Sequence, residues 1–230
     1  AINDAQVKAI FCSRGGYGLA RIIDKIDFSA LKSAAKWIVG FSDITALHNA
    51  FSRVGVASIH GIMAKHITLK ADGLDNLMTM LFGGDVAYEV PAHDFNKVGE
   101  AEGELIGGNL SVLYGLRGTP FDLDYKGKIL FIEDLGERLY HIDRMMQNLR
   151  LGGVFAQISG LVVGQFTDID DDDSFSGGVY GVIRDAVKDY DIPVCFNFPA
   201  GHVDNNQPLK MGANYKLEVL KDKAILKCLN

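Results

Sequence analysis

Two short apolar runs near the start of the chain each end in a turn and give way to an amphipathic stretch. Val7 to Cys12 reads as a buried strand ending in Ser13-Arg14-Gly15-Gly16-Tyr17-Gly18, and a helix is predicted from about Leu19 to Ile26. Trp37 to Phe41 is a second strand, which runs through Ser42 into helical spacing from Ile44 to Phe51. Successive strand–turn–helix units commit a chain to parallel pairing, because the crossover helix must pack back onto the sheet. Ala57 to His60 is predicted as a third strand, and Leu74 to Phe82 as a helix stopped by Gly83-Gly84. The fold class expected is therefore α/β.

After Phe82 the composition changes. Gly83 to Glu104 is rich in Gly, Pro, Asp and Asn, with only short alternating segments, and reads as a linker or surface hairpin. This divides the chain into an N-terminal α/β domain (1–88), a linker (89–104) and a C-terminal domain (105–230). In the latter, a helix is predicted over Leu110 to Leu116, a strand over Lys128 to Glu133 and a helix over Tyr140 to Leu151. Strands at Ile158 to Phe166, Pro193 to Phe196, Lys216 to Leu220 and Ala224 to Leu229 complete a mixed sheet.

A formal net charge of −6 and no lysine or arginine cluster argue against a nucleic-acid partner, which selects a basic face. No apolar run reaches the length of a membrane helix. Cys12, Cys195 and Cys228 are odd in number and far apart. Cys12 and Cys195 lie in apolar runs and read as buried thiols, and the set suggests a reducing compartment, not a disulfide framework or zinc site.

Four groups of residues could carry chemistry. In Gly40-Phe41-Ser42-Asp43-Ile44 the serine sits at a strand-to-helix corner, the geometry of a nucleophile elbow. Ile44 replaces the usual second glycine, and an N-cap role for Ser42 fits the same position. Arg14-Gly15-Gly16-Tyr17-Gly18 lets backbone amides approach an anion closely, or is a plain turn; it lacks the lysine of a phosphate-binding loop. Glu133-Asp134 closes a predicted strand, where α/β sites usually lie, although a solvated strand end looks the same. His202, in the polar loop Pro199 to Asn205, is a candidate base or an idle loop histidine.

Other residues read as structural. His48, His60, His66, His93 and His141 have no partner at metal-binding spacing. The acidic run Asp168 to Asp173 has Asp173 where a calcium loop needs glycine and Val179 where it needs glutamate, so it reads as a solvated loop.

The order and wording of these segments carry more than each does alone. Ala9 to Gly18, Gly40 to His48 and Ile59-His60-Gly61 resemble the first half of the LD-carboxypeptidase family, the muramoyltetrapeptide carboxypeptidases and microcin C self-immunity peptidases. Gly107-Gly108-Asn109-Leu110, Ile129 to Asp134, Ile142-Asp143-Arg144, Gly160 to Gly164 and Pro199 to His202 resemble its second half. The resemblance implies an N-terminal domain similar to class I glutamine amidotransferases and a C-terminal swivelling β/β/α domain. Family members carry a further strand and helix region before the Arg-Gly-Gly-Tyr-Gly block. This sequence begins a few residues before that block, so the first strands of the N-terminal sheet and the pocket wall they supply are not assigned.

The resemblance also implies a triad of Ser42, Glu133 and His202, assembled from both domains. In it Glu133 partners the histidine, not Asp134 or Glu137, and His202 lies within reach of Ser42. The amides of Asp43 and of Gly15 or Gly16 would form the oxyanion hole, and Arg14 is a candidate for holding a substrate carboxylate or for a structural salt bridge. No metal or organic cofactor is expected. The implied substrate is a murein tetrapeptide, cleaved in the cytoplasm at the bond before its terminal D-alanine, by an enzyme expected to be a homodimer with no nucleic-acid or membrane partner. Two alternatives stand beside this: a peptidyl-nucleotide hydrolase of the self-immunity kind, and a non-catalytic binder of peptidoglycan fragments. For the former, the Asp168 to Ser176 loop offers only Phe175 as a stacking aromatic. A nucleotide-binding module on the glycine-rich turn is a third, weaker reading.

Overall fold

The computed structural model describes residues 1–67, 72–170 and 175–229. In chain order the first elements are β1 (Ala9–Phe11), β2 (Trp37–Gly40), α1 (Thr45–Arg53), β3 (Ser58–His60) and α2 (Asp72–Leu81). Next come β4 (Ala87–Pro91), β5 (Gly99–Asn109), α3 (Leu110–Leu116), β6 (Ile129–Leu135), α4 (Leu139–Leu151) and β7 (Gly160–Thr167). The chain closes with α5 (Gly178–Val187), β8 (Val194–Cys195), β9 (Leu209–Met211), β10 (Asn214–Val219) and β11 (Lys223–Leu229).

Two sheets result. β1, β2 and β3 pair in parallel, as the repeated strand–turn–helix pattern requires, and β9 returns from the C-terminal half to pair antiparallel with β3. The second sheet has the order β4-β11-β10-β5-β6-β7-β8. Its long strand β5 pairs antiparallel with β10 over Gly99 to Glu104, then parallel with β6 from Leu105 onward. One face of its parallel half packs under α3, α4 and α5 through Leu113, Ile142, Met146 and Ile183. On the other side a single core joins the sheets: Val39 and Ile59 of the first lie with Leu105, Phe131 and Leu217 of the second. That shared core brings the end of β2 close to β6 and to the loop between β8 and β9.

Two local expectations are corrected, and two elements go beyond the sequence reading. The segment from Leu19 to Ile26 is not an α-helix; it forms two 3₁₀ turns, Leu19–Arg21 and Ile23–Lys25. Ile22 between them has φ −131°, outside the helical range, and β-branched residues crowd the turn. The stretch read as a linker or surface hairpin contains β4 and the first half of β5. The alternation there was faint because the inward positions carry small residues, Ala101 and Gly103, between Glu100, Glu102 and Glu104. The segments that form α5 and β9 carry no element in the sequence reading.

Cys195 and Cys228 are buried, Cys12 is half-buried, and all three are free thiols. Burial pushes the Cys12 thiol up to about 11 and that of Cys195 up to about 12, as inert packing residues would have. Asp171, Asp172, Asp173 and Ser174 of the acidic run lie outside the described residues. Among the described residues no helix is long and apolar enough to cross a membrane.

Candidate active site

Ser42 follows β2 with φ 66°, in the left-handed region that a serine occupies at a cost of about 1–3 kcal/mol. Strain of this kind persists only where the surroundings over-determine it. Here they do. The Gly40 carbonyl accepts from His48 Nε2 at 2.9 Å and from the Gly61 amide at 3.1 Å. Because Nε2 must carry the proton, His48 Nδ1 accepts from Ser58 Oγ at 2.8 Å. Burial holds this imidazole down at about 4, so the arrangement stays neutral. Beyond the corner, Thr45 Oγ1 accepts the Asn109 amide at 2.9 Å, tying the helix to β5, and Asp43 Oδ2 accepts the Leu19 amide at 3.0 Å. The N-cap alternative does not describe Ser42: the caps of the short 3₁₀ turn and of α1 are Phe41 and Ile44, without a side-chain hydrogen bond.

Glu133 lies within β6, two positions before its end, not at the terminus expected from sequence. It is fully buried, and its Oε2 accepts from His202 Nδ1 at 2.7 Å. With Nδ1 protonated, Nε2 of the ring is left as the acceptor. The approach depends on Gly201, whose φ is 132° and whose added Cβ would lie 3.1 Å from Glu133 Oε2. Register slips between β6 and β7 opposite Glu133, and there the Gln165 amide donates to the Ala200 carbonyl at 2.9 Å. Asn206, also buried, accepts the Gly201 amide at 2.9 Å and closes the loop. Asp134 and Glu137 do not reach His202; Glu137 pairs instead with His141.

Ser42 and His202 line one cavity of 520 Å³ together with Arg14, Gly15 and Gly16. Phe41 also lines it, its ring 4.8 Å from the His202 ring between centroids. No hydrogen bond joins Ser42 Oγ to the imidazole among the described residues. A Cβ on Gly15 would fall 2.9 Å from Ser42 Cβ, so only glycine lets this backbone approach the serine. The amides of Gly15 and Gly16 have no acceptor among the described residues, and both glycines line the cavity that Ser42 lines. Arg14 is exposed at the rim with no ion pair among the described residues, which removes the structural salt bridge as its role there. Lys65 adds positive charge to the same wall, which His66 also lines, and Asp204 is its acidic member.

The sequence offers Asp134 only as the second member of the Glu133-Asp134 pair, and it singles out neither Lys65 nor Asn206. Asp134 is nearly inaccessible, and burial, then the neighbouring Glu133, raise its carboxyl to about 6. Its oxygens accept from Asn109 Nδ2 at 2.8 Å and the Ser111 amide at 2.9 Å, while the Asn109 side chain caps α3 by accepting from the Val112 amide. The Gly107-Gly108-Asn109 turn was the available signal for this cluster. Lys65, His66 and Asn206 carried none beyond their residue types.

The LD-carboxypeptidase N-terminal domain matches residues 1–61, and the LD-carboxypeptidase C-terminal domain matches residues 102–217. The chain belongs to the LD-carboxypeptidase family. As such it is a serine-type peptidase with the α/β architecture that the family implies. A probable murein peptide carboxypeptidase of Bacillus subtilis is 34% identical over 97% of this chain and 73% of its own length. The crystal structure of muramoyltetrapeptide carboxypeptidase from Oxalobacter formigenes superposes with a TM-score of 0.91 at 29% identity, covering 100% of this chain and 80% of that one. A microcin C7 self-immunity protein, solved with aspartyl sulfamoyl adenosine, shares the fold at a TM-score of 0.85 and 22% identity, over 98% of this chain and 77% of its own.

Proposed function

We propose that this protein hydrolyses the bond between the L-centre of a dibasic residue (diaminopimelate or lysine) and the terminal D-alanine of a murein tetrapeptide. The reaction belongs to the recycling of peptidoglycan fragments in the cytoplasm, and Ser42, His202 and Glu133 carry it. The observation that supports this best is a strained serine and a carboxylate-paired histidine lining one cavity.

His202 Nε2 takes the Ser42 proton as Oγ attacks the scissile carbonyl. The negative charge on the tetrahedral oxygen falls to the amides of Asp43 and of Gly15 or Gly16, each donor worth roughly 3 kcal/mol. The carbon–nitrogen bond then breaks, and the imidazolium gives its proton to the departing D-alanine amine. A water molecule, deprotonated by His202, releases the acyl group and restores the serine. Glu133 holds the ring in the tautomer with Nδ1 protonated and stabilises its charged form. Arg14 and Lys65 hold the terminal carboxylate of the leaving residue. Incubation with muramoyl-tetrapeptide and mass measurement tests the proposal: the expected product is the tripeptide plus D-alanine. An unchanged tetrapeptide mass would reject the substrate.

A further inference from the structure

Glu133 is fully buried, yet only one of its oxygens is bonded: Oε2 accepts from His202, and Oε1 has no hydrogen-bond partner among the described residues. A buried carboxylate oxygen without a donor is costly, so its surroundings should supply one. Two other buried side chains share the deficit. Asn206 Nδ2 and both ring nitrogens of His60 are also without a hydrogen bond among the described residues, and neither side chain has a part in the proton transfers. We propose that these two are positioning residues of the triad: Asn206 Nδ2 donates to Glu133 Oε1, and His60 holds that amide in place by donating to Asn206 Oδ1. The proposal rests on the triad reading of Ser42, His202 and Glu133.

Three parts of the fold bring the groups together. His60 ends β3, opposite Gly40 of β2 and Leu209 of β9. Between centroids, its ring lies 5.0 Å from that of Phe131 and 5.8 Å from that of Phe41, the ring His202 packs against. Phe131 and Glu133 share a face of β6, since a Cβ on Gly164 would fall 2.8 Å from the Phe131 ring and 3.2 Å from Glu133 Cβ. Asn206, from the loop before β9, accepts the Gly201 amide at Oδ1, and Gly201 abuts Glu133 Oε2. That bond fixes which end of the amide is oxygen, leaves Oδ1 a second lone pair, and presents Nδ2 as a donor. Burial, then the nearby His48 and His202, hold the His60 imidazole well below its ordinary range, so the ring is neutral with one N–H to give. The adjacent Asn206 favours the proton on that ring, as an acceptor does. Both links are open in the free protein, like the one between Ser42 and His202. They close as charge develops on His202, which places their effect on kcat.

The test is steady-state D-alanine release from muramoyl-tetrapeptide by variants beside the unaltered protein, each with a thermal melt. Asn206→Asp keeps the acceptor for Gly201 and His60 but replaces the donor with a second oxygen. Its kcat should fall at least about tenfold while KM stays within about threefold, the scale of one hydrogen bond to a buried charge. His60→Leu should lower kcat by about 10- to 100-fold with KM likewise unmoved. Of His60→Gln and His60→Asn, whose amide NH₂ replaces one ring nitrogen or the other, one should recover kcat to within about threefold of the unaltered protein. Full kcat in Asn206→Asp, a leucine variant as active as the better amide variant, or losses carried by KM would each overturn the relay and leave the triad standing. So would losses that track unfolding in the melts. An unaltered protein that releases no D-alanine would overturn the triad reading and the relay together.

Discussion

Replacing Glu133 by glutamine isolates the charge of the buried acid from its shape. The carboxylate is fully buried and 2.7 Å from His202 Nδ1, so it faces the imidazolium that forms during attack with little solvent between them. At an effective dielectric constant near 20, a unit charge pair about 4 Å apart is worth about 4 kcal/mol, or roughly a thousandfold in rate. The tautomer adds to this. A glutamine amide can turn its NH₂ toward Nδ1, which forces the proton onto Nε2 and removes the base. The corresponding change in a serine protease triad costs about 10⁴ in kcat. We therefore expect kcat to fall by about 10³ to 10⁴. Stability should move the other way or not at all, within about 1 kcal/mol, because a buried carboxylate next to a neutral ring carries an unrecovered desolvation cost. D-Alanine release in single-turnover conditions, beside thermal melts of both proteins, reads the two effects separately. Activity within about tenfold of the unaltered protein would refute the reasoning, as would a collapse of the melting transition that accounts for the loss.

Three further changes probe the supports of the site. Gly201→Ala places a methyl group 3.1 Å from Glu133 Oε2 at a φ of 132°. It should destabilise by about 1–3 kcal/mol in urea melts and reduce activity with it. Arg14→Ala should raise KM about tenfold while kcat stays within about threefold, the pattern of a lost ground-state contact, in steady-state kinetics. The third change is Asp134→Asn. The folded carboxyl titrates at about 6 against an ordinary 3.8, so its contribution to stability is complete below pH 3.8 and lost as pH rises through 6. Between those limits the unaltered protein should lose up to about 3 kcal/mol that the variant keeps. Parallel stability curves for the two proteins from pH 4 to 7.5 would contradict this.

Legibility from sequence followed burial and motif spacing. The strands feeding the site, β2 and β6, are continuous apolar runs, and both were visible within a residue or two. The corner at Ser42 was visible as well, but not its left-handed backbone, which depends on His48, Gly61 and Asn109 arriving from three other elements. Residue type and position alone do not separate Glu133 from Asp134; the family resemblance does. The pleat and the register slip send one to His202 and the other to Asn109 and Ser111. β4 and β5 were hidden because Ala101 and Gly103 face inward, and small residues give a weak alternating signal. The short return strand β9 is defined by its pairing with β3, a long-range contact that no local pattern encodes.

The central claim is that Ser42 is the nucleophile. Its most direct test is the rate of D-alanine release from muramoyl-tetrapeptide by Ser42→Ala and by the unaltered protein, each with and without EDTA. Ser42 Oγ caps no helix, so the variant should fold with an unchanged melting transition. Its rate should fall by several orders of magnitude, as nucleophile deletions in other serine hydrolases do, while EDTA leaves the unaltered protein active. A variant keeping more than about a tenth of the original turnover, or an EDTA loss that added zinc restores, would contradict the account.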